Sequence, residues 1–328
     1  NDSQRQLAYI SDKAGKRLYV LDLSTGLTVK YFDFSLMPER MTMSPDGQFL
    51  YVALLVQDHS YYWWESEQAG YIAVIDLANQ TLVNSFAIPT DPYDLVVNTA
   101  GKLIVSSGSG QWTSIYAFNA TDGSVLGFAG IRQQSRLSLH PSGNWVFAAN
   151  TDTSPSDFEK FDISGNGIIA VGDSPYHGDQ RVNGNIWTSP DGQYLISKGG
   201  DLFRSDDMTF VMNLTAQNES VTQLQFDEEQ NLLFVLTSDN KLKYFNLTSW
   251  QLVGQQDASN VQWLLLADDG LLLIADAQQP AAVTQISHPC PLCGSNTAPV
   301  ADFTYLSNGG TTTDTFVFDA SVSTDAED

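Results

Sequence analysis

A unit of short strands and tight turns recurs along most of the chain and constrains its fold more than any other feature. In its clearest copy, residues 44–84, a Ser-Pro-Asp-Gly turn is followed by a strand, a loop, a second strand, a tight turn and a third strand. A polar residue closes the central strand of each copy, at Asp22, Asp76, Asn119, Asp162, Ser205, Asn246 and Gln285. These positions are 54, 43, 43, 43, 41 and 39 residues apart. A near-constant period of about 40–45 residues with short strands inside each unit predicts an all-β fold, a β-propeller.

Seven copies predict a seven-bladed propeller over residues 1–287. The first copy lacks an innermost strand and the last has no obvious outer strand, so the sequence does not explain how the ring protects its terminal strand edges. The alternative is a six-bladed ring in which residues 261–266 complete the first blade. Because that arrangement leaves two strands without a sheet, we expect seven blades.

The repeat resembles a known family. Residues 45–52 read Pro-Asp-Gly-Gln-Phe-Leu-Tyr-Val and residues 73–77 read Ala-Val-Ile-Asp-Leu, which together resemble the YVTN repeat of surface-layer-type propellers. Residues 18–26 and 191–196 match parts of it, whereas Phe226-Asp-Glu-Glu departs from its turn. The resemblance implies a propeller fold and says little about function, since propellers carry many unrelated activities.

The composition changes after residue 287. Residues 288–298 have the Pro, Gly, Ser and Asn content of a linker. Residues 299–328, with the run Phe-Asp-Ala-Ser-Val-Ser-Thr-Asp near their end, resemble the opening of a PKD domain, an immunoglobulin-like β-sandwich. Such a sandwich needs about 100 residues, so we expect further domains after Asp328. A YVTN-type propeller followed by a PKD domain resembles archaeal surface-layer proteins and bacterial secreted or surface proteins, which implies an extracellular location.

The charge balance excludes some partners. The chain has 38 Asp and Glu against 15 Lys and Arg, a net charge of −23. This argues against binding nucleic acid or an anionic membrane through a basic patch, and suits a soluble secreted protein. The sequence contains no apolar run of about 20 residues, so no membrane insertion is predicted. No cofactor is predicted. Calcium is possible, although the aspartates lack the spacing of a known calcium loop.

Two cysteines, Cys290 and Cys293, lie in the linker. Their spacing is that of a redox motif, but no βαβ pattern surrounds them. Zinc needs four ligands, and His288 offers only one more nearby. In a secreted chain we expect them to form a small disulfide loop.

The connections predict two different faces of the disc. The turns after first and third strands are short, whereas the connections on the opposite face are longer and more variable, at residues 57–70, 107–113, 150–157 and 172–183. Functional residues concentrate on loops held by a rigid scaffold, so we expect the binding site on the elaborated face.

The longest of these insertions carries four consecutive aromatic residues, Tyr61, Tyr62, Trp63 and Trp64, and Trp112 lies in the equivalent loop of the next unit. Exposed Tyr and Trp rings stack on sugar rings or anchor protein interfaces. The alternative is a loop folded back on its own blade, with the rings as a local core.

A second candidate site combines His177, Asp179 and Arg181 in a loop between blades. These residue types could perform acid–base chemistry or bind a carboxylate near the axis. The alternative is a surface loop held by an Asp–Arg ion pair. Taken together, the sequence predicts a non-enzymatic binding or adhesion protein whose partner is a glycan or a surface protein. A secreted carbohydrate-active enzyme and a structural subunit of a surface layer or filament remain the alternatives.

Overall fold

The computed structural model describes residues 2–62, 64, 68–151, 154–259, 261–267, 270–275 and 283–286. Apart from a short 3-10 turn at Ser3–Arg5, the regular structure of these residues is antiparallel β-sheet in which consecutive strands pair. The first sheet has three strands, β1 (Leu7–Asp12), β2 (Arg17–Asp22) and β3 (Thr28–Asp33). No helix in the described part of the chain is long and apolar enough to cross a membrane.

Five four-stranded sheets follow. The second and third comprise β4 (Met37–Met43), β5 (Phe49–Leu55), β6 (Gly70–Asp76), β7 (Thr81–Ile88), β8 (Pro92–Val97), β9 (Lys102–Ser107), β10 (Trp112–Asn119) and β11 (Val125–Arg132). The fourth to sixth comprise β12 (Ser135–Leu139), β13 (Trp145–Asn150), β14 (Phe158–Asp162), β15 (Ile169–Asp173), β16 (Ile186–Thr188), β17 (Tyr194–Ser197), β18 (Asp201–Arg204), β19 (Phe210–Asn213), β20 (Val221–Asp227), β21 (Leu232–Thr237), β22 (Lys241–Asn246) and β23 (Leu252–Asp257).

Burial falls from the second strand of a sheet to its outer strand. All residues of β9 and β21 are buried, whereas all five residues of β15 are exposed. Strand β21 is almost entirely apolar and β9 has an apolar centre, as expected where other sheets cover both faces of a strand. Phe118, Phe147 and Phe234 are among the fully buried side chains that fill the space between sheets. This gradient is expected of blades packed face to face around an axis.

The polar residue that marks the repeat has a local structural cause. The side chains of Asp22, Asp76, Asn119 and Asp162 each accept a backbone N–H from the turn that follows, at 2.8–2.9 Å. Asp and Asn stabilise tight turns in this way. The Pro-Xaa-Gly turns also depend on their glycine, since Gly47 has φ of 66° in the left-handed region.

The described structure is an all-β propeller with six blades, built from β1 to β23, and seven blades are not confirmed. A three-stranded sheet follows, formed by β24 (Val261–Ala267), β25 (Gly270–Ala275) and β26 (Val283–Ile286). The count of six agrees with the alternative prediction, but its strand assignment differs, because residues 261–266 pair with β25 rather than with β1. The linker, the PKD-like segment, Cys290 and Cys293 lie outside the described residues and stay predictions.

Candidate functional site

The inserted loop between β5 and β6, residues 56–69, is called here the aromatic loop. Its base is held by His59, whose Nδ1 lies 2.6 Å from Oδ2 of Asp91 and whose Nε2 lies 3.2 Å from Oε2 of Glu39. The backbone N–H of Ser60 donates to Oγ of Ser109 at 2.7 Å. Asp91 precedes β8 and Glu39 lies on β4, so the loop is fastened to its own blade and to the next.

Asp91 is buried and organises the centre of this network. Its carboxylate accepts hydrogen bonds from Oγ of Ser107 at 2.9 Å and from Oγ of Ser109 at 2.6 Å, besides facing His59. Gly108 completes the fit, since a Cβ at this position would lie 2.0 Å from Nδ1 of His59. A side chain there would displace the imidazole from its carboxylate partner.

His59 carries a positive charge at neutral pH. Burial lowers its pKa, but the hydrogen bonds and negative charges of Asp91 and Glu39 outweigh burial and raise the pKa to about 9. The pKa of Glu39 is correspondingly lowered, because His59 and Lys13 overcome the raising effect of burial. A protonated imidazole between two carboxylates is a poor general base. The arrangement therefore fastens the base of the loop.

The aromatic rings lie beyond this fastened base and face solvent. Tyr61 is 73% exposed, Tyr62 is 56% exposed and Trp64 is 60% exposed. The rings of Tyr62 and Trp64 are stacked, with centroids 4.6 Å apart and planes 17° from parallel. These three rings do not form a local core, and Trp63 lies outside the described residues.

Trp112, at the start of β10, is also exposed. The guanidinium of Arg132 lies 4.8 Å from the centre of its ring, and Nη1 of the same arginine lies 3.2 Å from Oε1 of Glu159. A charge over the ring face is a stabilising cation–π contact. Ser109, which contacts the base of the aromatic loop, lies in the connection between β9 and β10. The same connection leads directly into Trp112, the second exposed ring.

The residues of the second predicted site have different partners. Nδ1 of His177 lies 2.9 Å from Oδ2 of buried Asp157, whereas Arg181 forms its ion pair with buried Asp201. Arg181 also donates from Nη1 to the backbone carbonyls of Ala216 at 2.8 Å and Glu219 at 3.0 Å.

The third residue of that predicted site, Asp179, is exposed and makes no hydrogen bond or ion pair with any described residue. Through its ion pair and hydrogen bonds, Arg181 links successive loops of the propeller. The residues of the predicted site are distributed over separate structural contacts.

One cluster near His177 has ligand atoms close enough to hold a cation. Oxygens of Asp157 and Asp173 and a nitrogen of His177 lie within 4.8 Å of one another. Nη2 of Arg132 is 4.0 Å from Asp157, however, and already supplies positive charge there.

The strongest site-forming contacts were not predicted from sequence. Glu39, His59 and Asp91 are separated by 20 and 32 residues, and no short motif joins them. Only the propeller topology, which places the start of an inner strand beside neighbouring loops, could have indicated that they meet.

The fold and the site define a class of protein: an all-β propeller with an aromatic loop that buried charged residues hold at its base. No protein-family model matches the chain, and no curated protein matches it. Its fold is similar to that of Kuenenia stuttgartiensis hydrazine synthase, with a TM-score of 0.65 and 13% identity, over 86% of this chain and 92% of that chain. It is also similar to a functionally unknown protein from Desulfotomaculum acetoxidans, with a TM-score of 0.56 and 14% identity, over 83% of this chain and 86% of that one. At these identities the similarity shows the fold alone.

Proposed function

We propose that the protein is an extracellular or cell-surface binding protein that recognises a glycan or a partner protein through its aromatic loop. The observation that carries the proposal is the exposure of Tyr61, Tyr62 and Trp64 on a loop whose base is fixed by buried charges. A loop whose base is already held in place loses less conformational entropy at that base when a partner docks. Large exposed aromatic rings are typical anchors of such surfaces.

The stacked rings of Tyr62 and Trp64 suit a partner with a flat apolar face. A sugar ring presents such a face through its C–H groups, and a protein presents it through an apolar side chain. The net charge of −23 disfavours a polyanionic partner. Recognition therefore rests on ring contacts, with calcium as a possible addition rather than a requirement.

A structural role is the second candidate, because the outer strands expose apolar side chains. Phe128 on β11 and Ile169 on β15 are both 66% exposed. Contacts between copies through such strands would assemble the protein into a layer or filament. Sedimentation of the wild type and a Phe128→Lys variant tests this, and a concentration-independent monomer for both would eliminate it.

Ring closure belongs to the same proposal. Trp263 and Leu265 of β24 pack against a buried cluster of Ala8, Leu21 and Leu23 in the first blade. We take β24–β26 to be the seventh, closing blade on this basis. We also propose that the propeller is of the YVTN type and that residues 299–328 belong to a PKD domain, since both suit a surface protein.

A glycan array probed with and without calcium tests the binding role. The wild type is compared with a Tyr62→Ala/Trp64→Ala variant, and Phe128→Ala serves as a control that also removes an exposed aromatic ring. We expect the double variant alone to lose binding while keeping its circular dichroism and melting temperature. Equal binding by all three proteins would show that the aromatic loop is not the binding site. Absence of glycan binding by the wild type would direct the search to protein partners.

A further inference from the structure

A cavity of about 400 Å³ lies on the face opposite the aromatic loop. It is an open cavity lined by the connections between β16 and β17, between β20 and β21, and between β22 and β23. In antiparallel sheets whose consecutive strands pair, first-to-second and third-to-fourth connections share one face, whereas the aromatic loop is a second-to-third connection. The short turns of this face therefore also line an open cavity whose volume is in the range of small-molecule sites.

Two aromatic rings form one wall of the cavity. The rings of Tyr194 and Trp250 meet edge to face, with centroids 5.2 Å apart and planes at 69°. Trp250 is anchored in the core beside Leu247 and Phe245, so its position is fixed. This wall offers a rigid apolar contact.

The backbone of Trp250 is unusual. Its φ is 56°, in the left-handed region that bulky residues seldom adopt. It follows the polar turn residue Asn246 by four positions. Gly26 and Gly123 stand four positions after Asp22 and Asn119 with φ of 68° and 73°, and Gln80 stands four positions after Asp76 with φ of 51°. Glycine adopts this conformation without strain, whereas tryptophan does not. A residue retained in a disfavoured conformation is a reason to look for function in its side chain.

The rest of the cavity is polar and has side chains without protein partners. Glu228 and the side-chain amide of Gln193 make no hydrogen bond or ion pair with any described residue. Asn231 accepts a hydrogen bond from Thr248 at 3.2 Å through Oδ1, and its amide N–H groups have no partner among the described residues. Asp191 uses Oδ1 to accept from Oγ of Ser189 and from the backbone N–H of Gln193.

These groups define the chemistry of a ligand. Amide donors and carboxylate acceptors lie together, as a molecule with several hydroxyl groups requires, because each hydroxyl both donates and accepts. No Lys or Arg lines the cavity, and two carboxylates do, so phosphates and carboxylates are disfavoured. The aromatic wall suits the C–H face of a pyranose ring.

We propose that this cavity binds one neutral sugar residue, with Tyr194 and Trp250 as its wall and with Glu228, Gln193 and Asn231 as hydrogen-bonding groups. The site is independent of the aromatic loop and would function whether or not that loop recognises a glycan. A quaternary ammonium ion is the main competitor, since it also prefers aromatic rings beside carboxylates. It would not use the amide donors.

Saturation-transfer NMR and calorimetry test the proposal with the methyl glycosides of glucose, galactose, mannose and N-acetylglucosamine, and with choline. Glu228→Ala is compared with Glu229→Ala, which removes the same charge from the adjacent exposed position outside the cavity. We expect saturable binding of at least one glycoside by the wild type and by Glu229→Ala. Affinity should fall about tenfold in Glu228→Ala, as loss of a hydrogen bond to a charged group predicts.

The Tyr62→Ala/Trp64→Ala variant separates this site from the proposed function of the aromatic loop, because its glycoside affinity should equal that of the wild type. Binding that this variant loses would belong to the aromatic loop and would overturn the cavity assignment. Binding of choline alone, equal glycoside binding by both glutamate variants, or no glycoside binding by the wild type would also overturn it.

Discussion

Two histidines face buried aspartates on the elaborated side of the propeller, and their surroundings differ. His59 has a side chain 11% exposed and lies between Asp91 and Glu39. His177 has a side chain 58% exposed, and its partner Asp157 also lies 4.0 Å from Arg132. The same residue pair therefore occurs once as a buried ion network and once at a solvent-exposed loop.

The difference shows that burial and a second carboxylate, rather than the His–Asp pair itself, decide what a pair does. A charge that is buried and matched holds a loop in one place, whereas an exposed pair contributes little to stability because water screens it. The aromatic loop owes its fixed base to the first case. The loop of His177 depends far less on its histidine, because Arg132 remains beside Asp157.

Removing each histidine gives the largest predicted contrast. His59→Ala leaves buried Asp91 without a cation, and loss of one partner of a buried pair costs about 3–5 kcal/mol of unfolding free energy. His177→Ala should cost about 1 kcal/mol or less, as exposed pairs do. Urea denaturation of both variants measures the difference, and equal losses of unfolding free energy would contradict the predicted contrast.

Arg181 extends the comparison to a third pair. Its guanidinium is paired with Asp201 and donates to two backbone carbonyls, so Arg181→Ala should lower the unfolding free energy by about 3 kcal/mol. Asp179→Ala, two residues away and exposed, should change it by less than about 0.5 kcal/mol. A stable Arg181→Ala protein would instead favour a binding or catalytic role for this arginine.

The pH dependence of stability follows from the raised pKa of His59. Because its folded-state pKa of about 9 exceeds the ordinary value of 6.5, the stabilisation is complete below pH 6.5 and is lost as the pH rises through 9. The wild type should lose about 2–3 kcal/mol over this interval relative to His59→Gln, which cannot titrate there. Denaturation of the two proteins at a series of pH values measures the loss, and parallel profiles would contradict it.

A substitution at the tip of the aromatic loop should change the unfolding free energy least. Trp64→Ala removes an exposed ring and one stacking contact, so we expect a change of about 1 kcal/mol or less in unfolding free energy. A thermal melt checks this against His59→Ala. A loss as large as that of His59→Ala would mean that the ring supports the fold rather than a partner.

The repeat was sufficient to predict the propeller, because the polar turn residues and the buried second strands are local features repeated at a regular spacing. The spacing could not fix the number of blades, since the first and last sheets depart from the four-stranded unit. For the aromatic loop, sequence indicated the exposed Tyr61 and Trp64 but not the reason for their position. The contacts of His59 with Asp91 and Glu39 depend on which loops the blades bring together.

The same limit explains the site formed by His177, Asp179 and Arg181. Their closeness in sequence suggested one site, but each arginine or histidine contacts a carboxylate at least 20 residues away. Residues that are close along a loop need not form one site, since the side chains of His177 and Arg181 pair with carboxylates of different segments.

An NMR titration of His59 in histidine-labelled protein, with His59→Gln used to assign its ring signals, tests how the loop is held. We expect a midpoint near pH 9, because the ring is held as a cation between Asp91 and Glu39. A midpoint at or below the ordinary value of 6.5 would show that the imidazole is not paired with these carboxylates. The base of the aromatic loop would then not be fastened by charge.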